Sequence, residues 1–106
     1  MSTAGIHAGW DAAADGHGAL TPPIHTASAY AQPSHAALKA LFQRRADGFA
    51  YSRSGNPTTA VLEERITALE QGIGAIAVAS GQAATTIALC ALDAPGGHVV
   101  ASSRLY

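Results

Sequence analysis

Residues 75–101 follow a pattern that few folds can use: an apolar run, a serine–glycine turn, a helical stretch, a break and a second apolar run. Ala75-Ile76-Ala77-Val78-Ala79 is apolar without interruption, which suits a strand buried on both faces of a parallel sheet. Ser80-Gly81 turns the chain, and Gln82 to Leu92 reads as a helix with Ile87 and Leu89 among its apolar residues. Ala94-Pro95-Gly96-Gly97 breaks it, and His98-Val99-Val100-Ala101 is a second strand candidate. Strand, helix and strand with short connections predict a right-handed βαβ unit, hence an α/β fold. Two strands leave both sheet edges open, and an isolated pair is marginal in water. The pattern therefore predicts that more sheet follows.

The segment before this unit begins with a clear start signal. Asn56 is a good N-cap, and Pro57 suits the first helical position because its missing N–H would be unpaired there anyway. Leu62, Ile66 and Leu69 then fall on one apolar stripe, and Gly72 stands where a helix C-terminus favours a left-handed residue. Residues 1–55 are different in character, rich in Ala, Gly, His, Ser and Pro and weakly periodic. Thr21-Pro22-Pro23-Ile24 must be extended, since proline fixes φ and excludes its predecessor from the helical region. A short helix is expected between Ser34 and Arg45, capped by Ser34 with Leu38, Leu41 and Phe42 on one face. The rest of residues 1–55 reads as an arm that wraps something else. The expected organisation is thus an arm over 1–55 and the start of an α/β domain over 56–106.

Bulk properties narrow the functional classes. Of the 106 residues, 48% are hydrophobic and 12% charged, against about 25% charged in typical globular chains. So apolar a short chain either folds very compactly or buries surface against something more. The net charge of −1 leaves no electrostatic footprint for nucleic acid or an anionic membrane. Cys90 is the single cysteine, which excludes a disulfide framework and fits a reducing compartment. Met1 to Gly9 lacks the pattern of a secretory signal, and no run of about 18 apolar residues could span a membrane. A cytoplasmic location is the expectation. The five histidines show no metal-ligand spacing, so no metal is expected.

Three places could carry chemistry. Ser80-Gly81-Gln82-Ala83 lies between an apolar run and a helix, and a helix N-terminus presents unpaired N–H groups and about half a positive charge. Glycine there lets an anion approach the backbone closely. The same four residues also serve as an ordinary strand-to-helix turn, and neither a Walker loop nor a dinucleotide fingerprint is present. In Tyr51-Ser52-Arg53-Ser54-Gly55-Asn56-Pro57-Thr58, Arg53 offers a planar fork of donors and Tyr51 a hydroxyl. A solvated polar loop is the plainer account of that segment. Tyr106 follows the second strand candidate, as a packing residue or a cofactor platform.

Taken in order, these segments resemble the Cys/Met-metabolism family of pyridoxal phosphate (PLP) enzymes. The resemblance rests on Ile6-His7-Ala8-Gly9, Pro22-Pro23-Ile24-His25-Thr26, Tyr51-Ser52-Arg53 with Gly55-Asn56-Pro57-Thr58-Thr59, Leu62-Glu63, Leu69-Glu70, Ala79-Ser80-Gly81-Gln82-Ala83-Ala84 and Leu105-Tyr106. It implies the start of the aspartate aminotransferase-like large domain, preceded by an extended arm. It also implies roles. Gly81 and Gln82 would hold the PLP phosphate through backbone N–H groups. Tyr51 and Arg53 would reach the phosphate of a neighbouring subunit. Tyr106 would stack on the pyridine ring and help move protons. Gln82 and the Ser102-Ser103-Arg104-Leu105-Tyr106 ending look most like the O-acetylhomoserine sulfhydrylase branch, with cystathionine synthases, cystathionine lyases and methionine γ-lyases close behind.

The resemblance further implies an amino-acid substrate and a dimer-built homotetramer. Two stretches depart from the family pattern: residues 11–18 replace its usual Asp-Pro-x-Thr-Gly, and Gly96-Gly97-His98 replaces Gly-Asp-His. PLP chemistry also needs a covalently bound lysine and an acidic partner for the ring nitrogen. Lys39 is the only lysine, and it reads as a solvent-exposed helix residue. The 106-residue stretch is therefore expected to be inactive by itself and to be the first part of a longer catalyst. The alternative is a non-catalytic module that binds a phosphate compound or a partner subunit.

Overall fold

The computed structural model describes residues 3–92 and 97–106. Four helices form among the described residues: α1 (Ala4–His7), α2 (His35–Phe42), α3 (Pro57–Glu70) and α4 (Gly81–Leu92). Two of their starts follow directly from the cap residues read in the sequence. Ser34 is extended, and its Oγ accepts from the N–H of Ala37 at 3.1 Å, opening α2. Asn56 is extended too; its Oδ1 accepts from Thr58 N–H at 2.8 Å, and Pro57 opens α3. At α4, Ser80 Oγ accepts from Ala83 N–H at 3.1 Å, so this helix begins one residue earlier than expected.

Helices α2 and α3 both end on a left-handed residue. Arg44 has φ of 53°, and the N–H groups of Arg44 and Arg45 donate to Leu41 and Ala40 carbonyls, each at 2.9 Å. That pair of bonds defines a Schellman ending. In α3, Gly72 N–H reaches back to Thr67 O at 3.0 Å, which places the left-handed residue at the position before it. Gln71, with φ 53° and ψ 32°, takes that conformation. The expectation for Gly72 is thus corrected by one residue.

Packing divides the chain into two compact units, Met1–Ile76 and Ala77–Tyr106. In the first, α1 lies against α3. Gly9 makes the approach possible: with φ of 76°, a Cβ there would sit 2.8 Å from Val61 O and 3.0 Å from Glu64 Cβ. Arg65 Nε donates to Ala8 O at 3.1 Å across the same contact. The buried side chain of α3 is Val61, 9% exposed. The expected stripe of Leu62, Ile66 and Leu69 remains largely exposed.

The sheet expectation is not realised. Neither the run over 75–79 nor that over 98–101 forms a named strand, and the β pairing among the described residues is one antiparallel bridge, Ala29 to Tyr51. The reason is physical: an apolar run records a preference for burial, whereas a strand is made by its neighbours, and two short strands are marginal without more. Of the chain break expected over 94–97, residues 94–96 lie outside the described residues. Among the described residues, no helix is long and apolar enough to cross a membrane.

Candidate functional site

The segment carrying Tyr51 and Arg53 is held by its backbone and by one serine. Tyr30 N–H donates to Ala50 O at 3.0 Å and Ser52 N–H to Ser28 O at 2.9 Å, flanking the Ala29–Tyr51 bridge. Gln32 Nε2 adds a bond to Phe49 O at 2.9 Å. The chain then turns tightly: Tyr51 O accepts from Ser54 N–H, Gly55 N–H and Ser54 Oγ at 2.9, 3.2 and 2.8 Å. Ser52 turns its hydroxyl inward, donating to Ala27 O and accepting from Asn56 Nδ2 at 2.9 Å. Tyr51 and Arg53 pair with each other instead, the Arg53 guanidinium carbon lying 5.2 Å from the centre of the Tyr51 ring. Both side chains remain exposed. The arrangement offers a cation and a hydroxyl-bearing ring, on a fixed backbone, to something outside this unit.

In the second unit the chemistry lies at the start of α4. Ser80 occupies the N–H of Ala83 with its side chain and the N–H of Ala84 with its carbonyl. The N–H groups of Gly81 and Gln82 donate to no acceptor among the described residues. They are the first two orphan donors of the helix, on its positive end. A Cβ placed on Gly81 would meet nothing within 4 Å, so the backbone is unobstructed on that side. Gln82 turns its side-chain amide to Tyr106, Nε2 donating to the Tyr106 carbonyl at 3.1 Å. The Tyr106 ring is fully exposed.

The five site residues read in the sequence thus fall into two groups. Tyr51 and Arg53 are brought together in the first unit; Gly81, Gln82 and Tyr106 are brought together in the second.

The whole described chain has counterparts among known proteins. The family model for the Cys/Met metabolism PLP-dependent enzymes matches residues 2–106. The chain belongs to that family. Three similar proteins indicate its breadth. The homocysteine/cysteine synthase of Kluyveromyces lactis is 41% identical over 106 residues, covering 100% of this chain and 24% of the relative. The O-acetyl-L-homoserine sulfhydrylase of Corynebacterium glutamicum is 43% identical over 106 residues, with the same coverage. The cystathionine gamma-synthase of Mycobacterium tuberculosis is 42% identical over 107 residues, covering 99% of this chain and 25% of the relative. The chain spans about a quarter of the length of these relatives. The family is one of sulfur amino-acid metabolism, and its name implies pyridoxal phosphate.

For a member of this family, the structure adds Tyr30 and Gln32, which the sequence did not single out, and gives Ser52 and Asn56 new partners. Tyr30 and Gln32 fasten the Tyr51–Arg53 segment, and Ser52 and Asn56 join it to α3. Asn56 was legible as a helix cap and as part of the Gly55–Thr59 stretch of the resemblance. Its bonds to His25 and Tyr30 span 31 and 26 positions, and no spacing rule marks them.

Proposed function

We propose that this chain is the first part of a PLP-dependent transferase that replaces the γ-substituent of an O-acylated homoserine with sulfide or a thiol. In this reading it begins the aspartate aminotransferase-like α/β large domain, and the half-exposed stripe of α3 is covered by sheet outside this stretch. The observation that carries the reading is the pair of orphan donors at Gly81 and Gln82 on the positive end of α4. They fit a phosphate: two N–H groups on a positive helix end bind an anion without any lysine. Bound PLP supplies the electron sink that stabilises negative charge on the substrate carbon.

The chain's own residues do the rest. Gly81 and Gln82 donate to the phosphate. Gln82, through its hold on the Tyr106 carbonyl, sets where the Tyr106 backbone lies relative to the α4 N-terminus. Tyr106 offers its ring as a stacking face and its hydroxyl as a proton carrier. Tyr51 and Arg53, exposed and paired, reach the phosphate held by a second copy of the chain. That last role makes the active form at least a dimer, and a dimer-built tetramer is our reading of the assembly.

The sulfhydrylase reaction is favoured by Gln82 and the 102–106 ending. Similarity to a cystathionine gamma-synthase at comparable identity supports a second reading, in which cysteine is the sulfur donor. Steady-state assays of the full-length protein on O-acetylhomoserine, with sulfide against cysteine, and on cystathionine and methionine separate the two readings and the lyases.

The phosphate role has a direct test. Proline is accepted at the first helical position and removes only an N–H there, so Gly81→Pro deletes one donor and keeps α4. Gly81→Ala keeps the donor and meets open space. A hydrogen bond to a charged group contributes about 1.5–3 kcal/mol, which is roughly a tenfold to 150-fold loss of PLP affinity in Gly81→Pro. Gly81→Ala should bind like the parent. Equal PLP dissociation constants in the Pro and Ala variants would refute the assignment.

A further inference from the structure

We propose that Asn56 is a positioning residue that sets the Tyr51–Arg53 segment by tying it to the first turn of α3; this rests on the phosphate role proposed for Arg53. One side chain does two jobs at once. Its Oδ1 accepts from Thr58 N–H at 2.8 Å and caps the helix. Its Nδ2 lies 3.0 Å from His25 O, 3.0 Å from the Tyr30 hydroxyl and 2.9 Å from Ser52 Oγ. An amide nitrogen has two hydrogens for these three acceptors, so it sits at the crossing of three segments.

Ser52 is the link that matters. It stands between Tyr51 and Arg53 in the chain, and its backbone N–H and hydroxyl are engaged by Ser28, Ala27 and Asn56. The hydroxyl of Tyr30, 3.3 Å from Ser52 Oγ, closes the triangle. With Ser52 pinned inward, Tyr51 and Arg53 are left on the outside, stacked on each other. Releasing Nδ2 frees Ser52 to rotate and lets both exposed side chains lose a common orientation. Orientation is what a planar, bidentate guanidinium contact depends on most.

Aspartate separates the two jobs. Asn56→Asp keeps a carboxylate oxygen as the cap, since aspartate is an equally good N-cap. It replaces the donor with an acceptor that faces the His25 carbonyl and cannot donate to Ser52 Oγ. The experiment uses the full-length protein as apoenzyme, titrated with PLP and melted without it, for Asn56→Asp, Arg53→Ala and the double variant. The expected results are an apoenzyme melting temperature close to the parent's, and a PLP dissociation constant raised about tenfold, the scale of one charged contact. The double variant should bind PLP no worse than Arg53→Ala alone, because Asn56 acts through that segment. Unchanged PLP binding in Asn56→Asp, or losses that simply add, overturns the inference while leaving the phosphate role of Arg53 in place. Unchanged binding in Arg53→Ala overturns both. If Asn56→Asp does not fold, Tyr30→Phe removes one acceptor and one arm of the triangle; a rise of about threefold supports the inference, and parent-like binding overturns it.

Discussion

Gly9 and Gly16 share a φ of 76°, yet they constrain the chain very differently. At Gly16 a Cβ meets nothing within 4 Å, whereas at Gly9 it meets the Val61 carbonyl and Glu64 Cβ. Gly16→Ala in the full-length protein should cost only the left-handed penalty, about 1–2 kcal/mol. Gly9→Ala adds a collision with the backbone of α3 and should cost about 1–3 kcal/mol more. Urea unfolding of the two variants checks the difference, and equal losses would mean that α1 does not sit on α3 as described. Tyr51, Arg53, Gly81 and Gln82 could be picked out from the sequence because each offers a donor beside a helix start. Tyr30, Gln32 and the amide of Asn56 could not. Their bonds to Phe49, His25 and Tyr30 span 17 to 31 positions, and such pairings leave no local mark.

At the scale of the element, what depends on neighbours three or four residues away was readable, and what depends on distant pairing was not. Ser34 and Asn56 open their helices as read. The two apolar runs over 75–79 and 98–101 carry the burial preference of strands but form no named strand. The buried position of α3 is Val61 rather than the Leu62 stripe, and Gly9 and Arg65, which bring the start of the chain onto α3, lie outside any helical periodicity. The left-handed endings yield a prediction of their own. Arg44 and Gln71 hold a left-handed backbone that glycine adopts freely. Arg44→Gly and Gln71→Gly should each stabilise the full-length protein by about 1 kcal/mol, read as a raised midpoint in denaturant with an unchanged slope. A lowered midpoint would show that the side chains at these positions contribute more than the backbone strain costs.

At the scale of the whole molecule, the balance between buried and exposed apolar groups is the main fact. Val61 is the buried hydrophobic residue among the described ones, while Ile73, Ile76, Leu92 and Val100 are largely exposed. Folding must offset roughly 1–2 kcal/mol of backbone entropy per residue, and so little burial does not. The 106-residue stretch expressed alone should give helical far-UV signal, no cooperative melt and a tendency to aggregate. A single sharp thermal transition at micromolar concentration, from a species of monomeric mass by light scattering, would contradict this. One contact limits that tendency at its most vulnerable place. The Thr58 hydroxyl accepts from His25 N–H at 2.8 Å and donates to Pro23 O at 3.1 Å. Those two backbone groups belong to one edge of the proline-rich arm, and a single side-chain oxygen serves both, as a partner strand would. Pro22 and Pro23 have no N–H to offer a second chain. Thr58 thus covers Pro23 O and His25 N–H while Asn56 covers His25 O, so Thr58→Val, which keeps the shape and removes two of these three bonds, would expose part of a template for intermolecular β-structure.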